Sequence, residues 1–318
     1  MYILLSILMN NIVPVFILVA LGFILGRKFP MDIATLSKLF FYLYVPAFAF
    51  VNILTVEFSF NPLLVISIGL ILVVMNYILG AGMSKIFRLP HKTSKAFQNT
   101  IMFNNSGNIG VSLIILVFSN EPFLVNGQPS NLEIALAVQI MMLLVQNMST
   151  NTFGVINSGG EGMTVKKGLI RLIKIPFVYM VLAAFLFRLV PFDVTKTPIF
   201  TSMDMIRGGM ISIALLMLGL QLSQSKINLK LKTPYVASFT RLLIGPLLAF
   251  IVIHMFGLSG VVAQSIFISA STPSAVNVAL MAKEFQGDSD FAVQVVTLST
   301  LLSAFTMTGA IFLASVLW

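Results

Sequence analysis

The chain has 318 residues, 58% of them hydrophobic and only 9% charged, where an ordinary soluble domain carries roughly a quarter charged. Its 19 basic and 10 acidic side chains cannot coat a water-soluble surface of that size, which excludes a soluble globular protein and leaves a polytopic all-α membrane protein. The net charge of +9 reads as membrane topology rather than as a nucleic-acid face, because the Lys and Arg fall in short loops between apolar runs.

With roughly 20 apolar residues needed to cross a bilayer, ten spans are expected in chain order. They are Leu5 to Leu25, Ala34 to Thr55, Pro62 to Phe87, Ala96 to Phe118, Leu132 to Phe153, Leu169 to Val190, Ser202 to Leu222, Pro234 to Phe256, Val261 to Ala282 and Phe291 to Leu317. Met1 to Met9 is apolar with no basic stretch ahead of it, so it reads as the start of the first span and not as a cleaved leader. Alternate loops hold 15 of the basic residues, among them Arg27, Lys28, Lys85, Lys95, Lys166, Lys174, Lys226 and Lys283, while Arg188, Lys196 and Arg207 fall on the other side. The basic side is therefore expected to be cytoplasmic, with both termini facing outward.

Five plus five spans suggest an internal duplication, of residues 1–153 and 169–318 joined by a short cytoplasmic linker over 154–168. Span one carries Pro14 and Arg27 where span six carries Pro176 and Arg188. Spans three and eight open at Asn61-Pro62 and Thr233-Pro234, and Gln139 in LAVQIMML of span five answers Gln294 in FAVQVVTL of span ten. An odd number of helices per copy inserts the second copy upside down, the arrangement of secondary transporters whose site forms near mid-membrane between the copies.

Spans four and nine lose their apolar pattern at equivalent places, Phe103-Asn104-Asn105-Ser106-Gly107-Asn108-Ile109-Gly110 and Ser269-Ala270-Ser271-Thr272-Pro273-Ser274-Ala275-Val276-Asn277. Asn and Gly are poor helix formers and Pro removes an amide donor, so both helices are expected to be interrupted. Non-helical backbone at that depth must be buried or line a wet cavity. Two helix N-termini, near 108–111 and 274–277, would then aim partial positive charge and free amides at one space, an anion site built without a fixed cation. Packing and kinking are the alternative for such residues. Arg241, the one cation inside a span, lies seven residues after Pro234 and has two readings: a side chain snorkelling to the cytoplasmic face, or an attractor for an anionic substrate. Gln139, Gln146 and Asn147 with Gln294, Thr297 and Thr300 could flank the crossing or simply bond between helices. All ten acids fall in loops or near span ends, so no mid-membrane carboxylate is available for ion exchange. With no Cys, and with His91 and His254 away from the interruptions, no metal site, cofactor or buried catalytic group is expected.

These segments together resemble the auxin efflux carrier family in its bacterial branch, over nearly the whole chain. The similar stretches are VPVFILVALGFILGR from Val13, LSKLFFYLYVPAFAF with Pro46, FNNSGNIG, and STPSAVNVALMAKEFQGD running into TLSTLLS. The resemblance implies a ten-helix fold with crossed, broken helices four and nine, related to the bile acid/sodium symporter superfamily. It also implies a scaffold of spans one, two, six and seven, a transport domain of spans three to five and eight to ten moving as an elevator, a homodimer through the scaffold, and a bacterial plasma-membrane location. Bacterial relatives are commonly labelled malate or malonate permeases, and plant relatives export indole-3-acetate. The short loop from Gly154 to Lys167 leaves no room for the regulated hydrophilic domain of plant members.

The leading expectation is thus a secondary carrier for a small organic anion bound at the crossing. A sodium- or proton-coupled symporter is the alternative within transport. A membrane-embedded ligand sensor is the alternative outside it. A channel lacks a filter segment, and an intramembrane enzyme lacks its buried chemistry.

Overall fold

The structure, a computed structural model, describes residues 2–158, 175–225, 228 and 230–318. Most of the expected linker over 154–168, the start of span six at Leu169, and Glu161, Lys166, Lys167, Arg171, Lys174 and Lys226 lie outside the described residues. Among the described residues the chain is helical with no sheet strand. In chain order the helices are α1 (Tyr2–Lys28), α2 (Ile33–Thr55), α3 (Pro62–Ile86), α4 (His91–Met102), α5 (Ser106–Phe118) and α6 (Leu132–Asn157). They continue as α7 (Pro176–Phe187), α8 (Pro198–Ser223), α9 (Lys232–Met255), α10 (Gly260–Ala270), α11 (Asn277–Glu284) and α12 (Ser289–Leu317).

Seven of these are long and apolar enough to cross a bilayer: α1, α2, α3, α6, α8, α9 and α12. The ten-span expectation is met only in this coarser form, for a physical reason. Spans four and nine are each split into two short helices, α4 with α5 and α10 with α11, and the described part of span six, α7, has 12 residues. Interruption of spans four and nine is what their Asn, Gly and Pro content predicts.

Proline also explains much of the irregularity inside the long helices. Wide π turns at Leu8–Ile12, Phe40–Tyr44 and Thr240–Ile244 each precede a proline by two residues, at Pro14, Pro46 and Pro246. A helix-interior proline lacks the amide donor and presses on the carbonyl four residues back, and a widened turn relieves that clash. Caps mark the helix starts: Asp32 accepts from the Ala34 and Thr35 amides at 3.0 and 3.2 Å. The Thr35 hydroxyl, with the Ala34 amide, holds the Asp32 carboxyl below its ordinary range. At the far end of α2, Arg188 donates to the carbonyls of Ile53 and Val56, closing a helix end with a cation.

Helix α1 lies along α8 and also meets α12, and α2 lies along α7 and α8; α3 packs on α4 and α6, α6 and α9 on α10, and α12 on α4, α9, α10 and α11. The α1/α8 contact is backbone to backbone, because a Cβ on Gly22 would strike the Leu216 carbonyl and one on Gly219 would strike the Val19 carbonyl. In lipid, where apolar surface gives no net drive for association, such close approach of small residues is what holds helices together.

Substituting Gly219→Ala should therefore force α1 and α8 apart and cost about 1–3 kcal/mol, read as a lower thermal midpoint in detergent. Gly82→Ala in α3, whose new Cβ meets nothing within 4 Å, should leave the midpoint unchanged or raise it.

Candidate functional site

The interruptions at 103–105 and 271–276 cross each other. Asn104 and Ser274 face one another as an antiparallel bridge, with the Asn105 amide donating to Pro273 O at 2.7 Å and the Ala275 amide to Phe103 O at 3.0 Å. Each break also caps the other's helix. Asn104 Nδ2 donates to Ser269 O at the end of α10, at 2.6 Å, and Ser274 Oγ donates to Thr100 O at the end of α4, at 2.7 Å. The backbone groups freed by breaking two membrane helices are thus paired across the crossing, as burial in an apolar medium demands. Pro273 fits this frame: it has no amide to satisfy and its carbonyl is used.

Beneath the crossing lies Arg241, 2% exposed. Its Nε donates to Thr272 O at 3.2 Å, its Nη1 to Ile101 O at 3.0 Å and to Asn76 Oδ1 at 3.5 Å, and its Nη2 to Ala270 O. The snorkelling reading of Arg241 is overturned. The π turn at Thr240–Ile244 carries the side chain inward, where it binds the C-terminal carbonyls of both α4 and α10. Gly245 keeps the space open, since a Cβ there would come within 3.2 Å of the guanidinium. Sequence reasoning missed Asn76. Its signal was a single amide in the middle of the apolar run of α3.

The two N-terminal ends face the other way. Asn104 to Asn108, at the start of α5, and Ala275 to Asn277, at the start of α11, line one cavity of about 40 Å³ that Gln146, Asn147 and Phe41 complete. Several of the amides expected to be free are paired: Asn108 donates to Asn105 Oδ1 at 3.2 Å, Gly110 to Asn105 O at 2.9 Å, Ser274 to Ser299 Oγ at 3.2 Å and Ala275 to Phe103 O, while α11 itself has no side-chain cap. Asn105 Nδ2, Asn104 Oδ1 and Gln146 Oε1 are buried without a partner there, and the side chains of Asn108 and Asn277 make no hydrogen bond among the described residues.

The expected site residues divide accordingly. Asn104, Asn105, Ser106, Gly107, Asn108, Gln146 and Asn277 line the cavity. Ser271, Thr272 and Ser274 are committed to backbone carbonyls, and Pro273 to the bridge. Gly110 admits Gln139, which donates to Ser106 O at 2.6 Å; a Cβ at 110 would lie 2.6 Å from the Gln139 amide nitrogen. Gln294 stands apart from the crossing, lining a larger cavity of about 920 Å³ that also reaches Val276. That vestibule runs between Ser37 of α2 and Gln221 of α8 on one wall and Lys283 of α11 and Asp290 of α12 on the other. Thr297 bonds Val293 O, and Thr300 Oγ1 is buried without a partner. No Asp or Glu is buried among the described residues, and no group of three metal-ligating side chains is found among them.

A profile of the membrane transport protein family matches residues 7–311, a stretch that takes in both interruptions, Arg241 and all the cavity-lining residues. The chain belongs to this family, that of the auxin efflux carriers. It is a multi-pass membrane transporter. No curated protein matches the chain. In a transporter, a polar crossing held in apolar surroundings is the feature that a solute could use, and its integrity depends on Arg241.

Arg241→Met should strip three buried carbonyls of their donors and destabilise the protein by about 3–5 kcal/mol. Arg241→Lys, a point charge without the planar fork, should recover only part of the loss. Thermal unfolding of both variants in detergent checks this; a midpoint unmoved by Arg241→Met would show that the carbonyls are satisfied some other way.

Proposed function

We propose that the protein is a secondary carrier for a small organic anion, bound at the crossing between the N-terminal ends of α5 and α11. The observation that carries this reading is the cavity where both helix starts converge with the uncommitted amides of Asn108 and Asn277. Helix N-termini present free N–H groups and a partial positive charge, so they favour a carboxylate without a lysine or arginine at the contact. Asn105, Ser106, Gly107, Asn108 and Asn277 bind substrate in this proposal. Asn104, Gly110, Gln139, Ser271, Thr272, Pro273, Ser274 and Arg241 hold the frame. The unpartnered oxygens of Asn104 and Gln146 suit a donor carried by the substrate or a bound water.

Alternating access is proposed to occur by an elevator movement of α3 to α6 and α9 to α12 against α1, α2, α7 and α8. Two features support it. The rigid glycine contact of α1 with α8 lies inside the proposed scaffold, and the 920 Å³ vestibule lies between the two groups. The packing pairs also come in matched sets, α1 on α8 with α2 on α7, and α3 on α4 with α9 on α10, which supports two inverted copies. The vestibule is on the side of Lys38 and Lys283, the basic side, so the conformation described is open to the cytoplasm under the proposed orientation with both termini outside. A bacterial plasma membrane and a homodimer through the scaffold complete the reading.

The test is counterflow and net uptake in proteoliposomes against mono- and dicarboxylates and indole acids, with and without pH and sodium gradients. Asn277→Ala and Asn108→Ala should each weaken the transported substrate roughly tenfold, the value of one hydrogen bond to a charged group. The thermal midpoint should not move, because neither side chain makes a hydrogen bond among the described residues. Unchanged flux in both variants would remove the site, and saturable binding without counterflow would make the protein a sensor instead of a carrier.

A further inference from the structure

We propose that an anionic glycerophospholipid binds in a groove between α3, α4 and the end of α6, with its headgroup on His91, Lys92 and Lys95 and one acyl chain running toward the crossing. The groove is a cavity of about 430 Å³, walled by Val73, Tyr77, Met102, Phe153 and Ile156, with Lys95 among its lining. Tyr77 and Phe153 are 40% and 55% exposed, so it faces the surrounding medium. A second cavity of about 110 Å³, lined by His91, Lys92, Lys95, Asn99 and Gln286, adjoins it. Lys95 belongs to both. Its Nζ donates to Asn157 Oδ1 at 3.1 Å, and Asn157 Nδ2 donates to Asn99 Oδ1 at 2.9 Å, so a polar seam joins the basic pocket to the apolar one.

Charge complementarity specifies the headgroup. Two lysines and a histidine converge where α4 begins, and that helix start has no side-chain cap, which leaves its first amides available to an acceptor. No Asp or Glu lines either cavity among the described residues. Asp288 lies beside this helix start, its carboxylate accepting from Thr93 Oγ1 at 2.6 Å and from the Phe291 amide at 3.0 Å, so one negative charge stands against the two lysines. Basic pockets between helices at a membrane face bind anionic headgroups. The apolar cavity distinguishes a lipid from a soluble anion, because a free anion would leave it unfilled. From Lys95 to Met102 is seven residues, about 10 Å along a helix, which keeps the chain within one leaflet of a hydrocarbon core about 30 Å thick. Met102 adjoins Phe103 of the crossing, and the Ile101 carbonyl is held by Arg241, so the acyl chain would brace the half-helix that carries the site.

The experiment is thermal unfolding of the purified full chain in neutral detergent, titrated with phosphatidylglycerol, with phosphatidylcholine of the same chains, and with inorganic phosphate. Phosphatidylglycerol should raise the midpoint saturably, and the other two should not. Lys92→Gln, whose side chain makes no hydrogen bond among the described residues, should raise the half-saturating concentration about fivefold, the worth of one lysine at a membrane surface. Val74→Trp, on the exposed lip of the groove, should abolish the shift while the lipid-free midpoint holds. Equal stabilisation by phosphatidylcholine, the same shift from phosphate alone, or a phosphatidylglycerol shift intact in both variants would overturn the proposal.

Discussion

One buried guanidinium balances the crossing. A helix terminus carries the equivalent of about half an elementary charge, negative at the C-terminal end and positive at the N-terminal end. Two C-terminal ends, α4 and α10, meet at Arg241 through Ile101 O, Ala270 O and Thr272 O, so their combined charge of about minus one is met by one cation. No carboxylate is buried with it among the described residues; the counter-charge of Arg241 is backbone. What is left over is the pair of N-terminal ends at the small cavity, with a combined charge of about plus one and, among the described residues, no carboxylate lining it. That residual charge is the reason an anion is the proposed solute. Among the described residues no lysine or arginine lines the cavity, so the helix ends are its source of positive charge.

The polar residues of the two breaks divide into those that hold the crossing and those left without a partner in it. Asn104 and Ser274 each reach across to the opposite half-helix, and the bridge through Asn105 and Pro273 fixes the relative height of the two breaks. Each of these bonds replaces a backbone bond that the interrupted helix gave up, and in an apolar medium an unreplaced one costs several kcal/mol. Asn108 and Asn277 are not needed for that repair, so their amides are available to a solute. Residue type alone does not separate the two classes, since asparagine fills both.

Much of this was legible in the sequence. The Asn-Gly run and the Ser-Thr-Pro-Ser run interrupt their helices because propensity and the missing proline amide leave no other outcome at those positions. What could not be read was the destination of Arg241. Counting residues from Pro234 places it one helix length of about 10 Å from the membrane face, which suggested a snorkelling side chain. Two things defeat that count: the π turn ahead of Pro246 redirects the residue, and its acceptors are main-chain carbonyls, which no sequence pattern advertises. The split of spans four and nine, expected from their composition, together with the 12 described residues of span six, brings the number of long apolar helices among the described residues to seven.

The same bonds limit how the protein can move. Arg241 belongs to α9, its amide partner Asn76 to α3, and its carbonyl partners to α4 and α10. A movement that slid α4 away from α10, or opened the crossing like a hinge, would take a guanidinium with four partners and leave it partly unpaired in a low-dielectric interior, where the penalty is largest. The α1 and α8 pair is equally resistant, because Gly22 and Gly219 hold its backbones in contact. Between the proposed scaffold and the proposed transport group the vestibule occupies part of the interface, beside contacts of α1 with α12 and of α5 with α8. Exposure of the cavity to alternate sides is therefore least costly when the crossing travels whole, with Arg241 and both half-helices moving together past a fixed scaffold, and that is the physical reason for preferring the proposed elevator to a local gate.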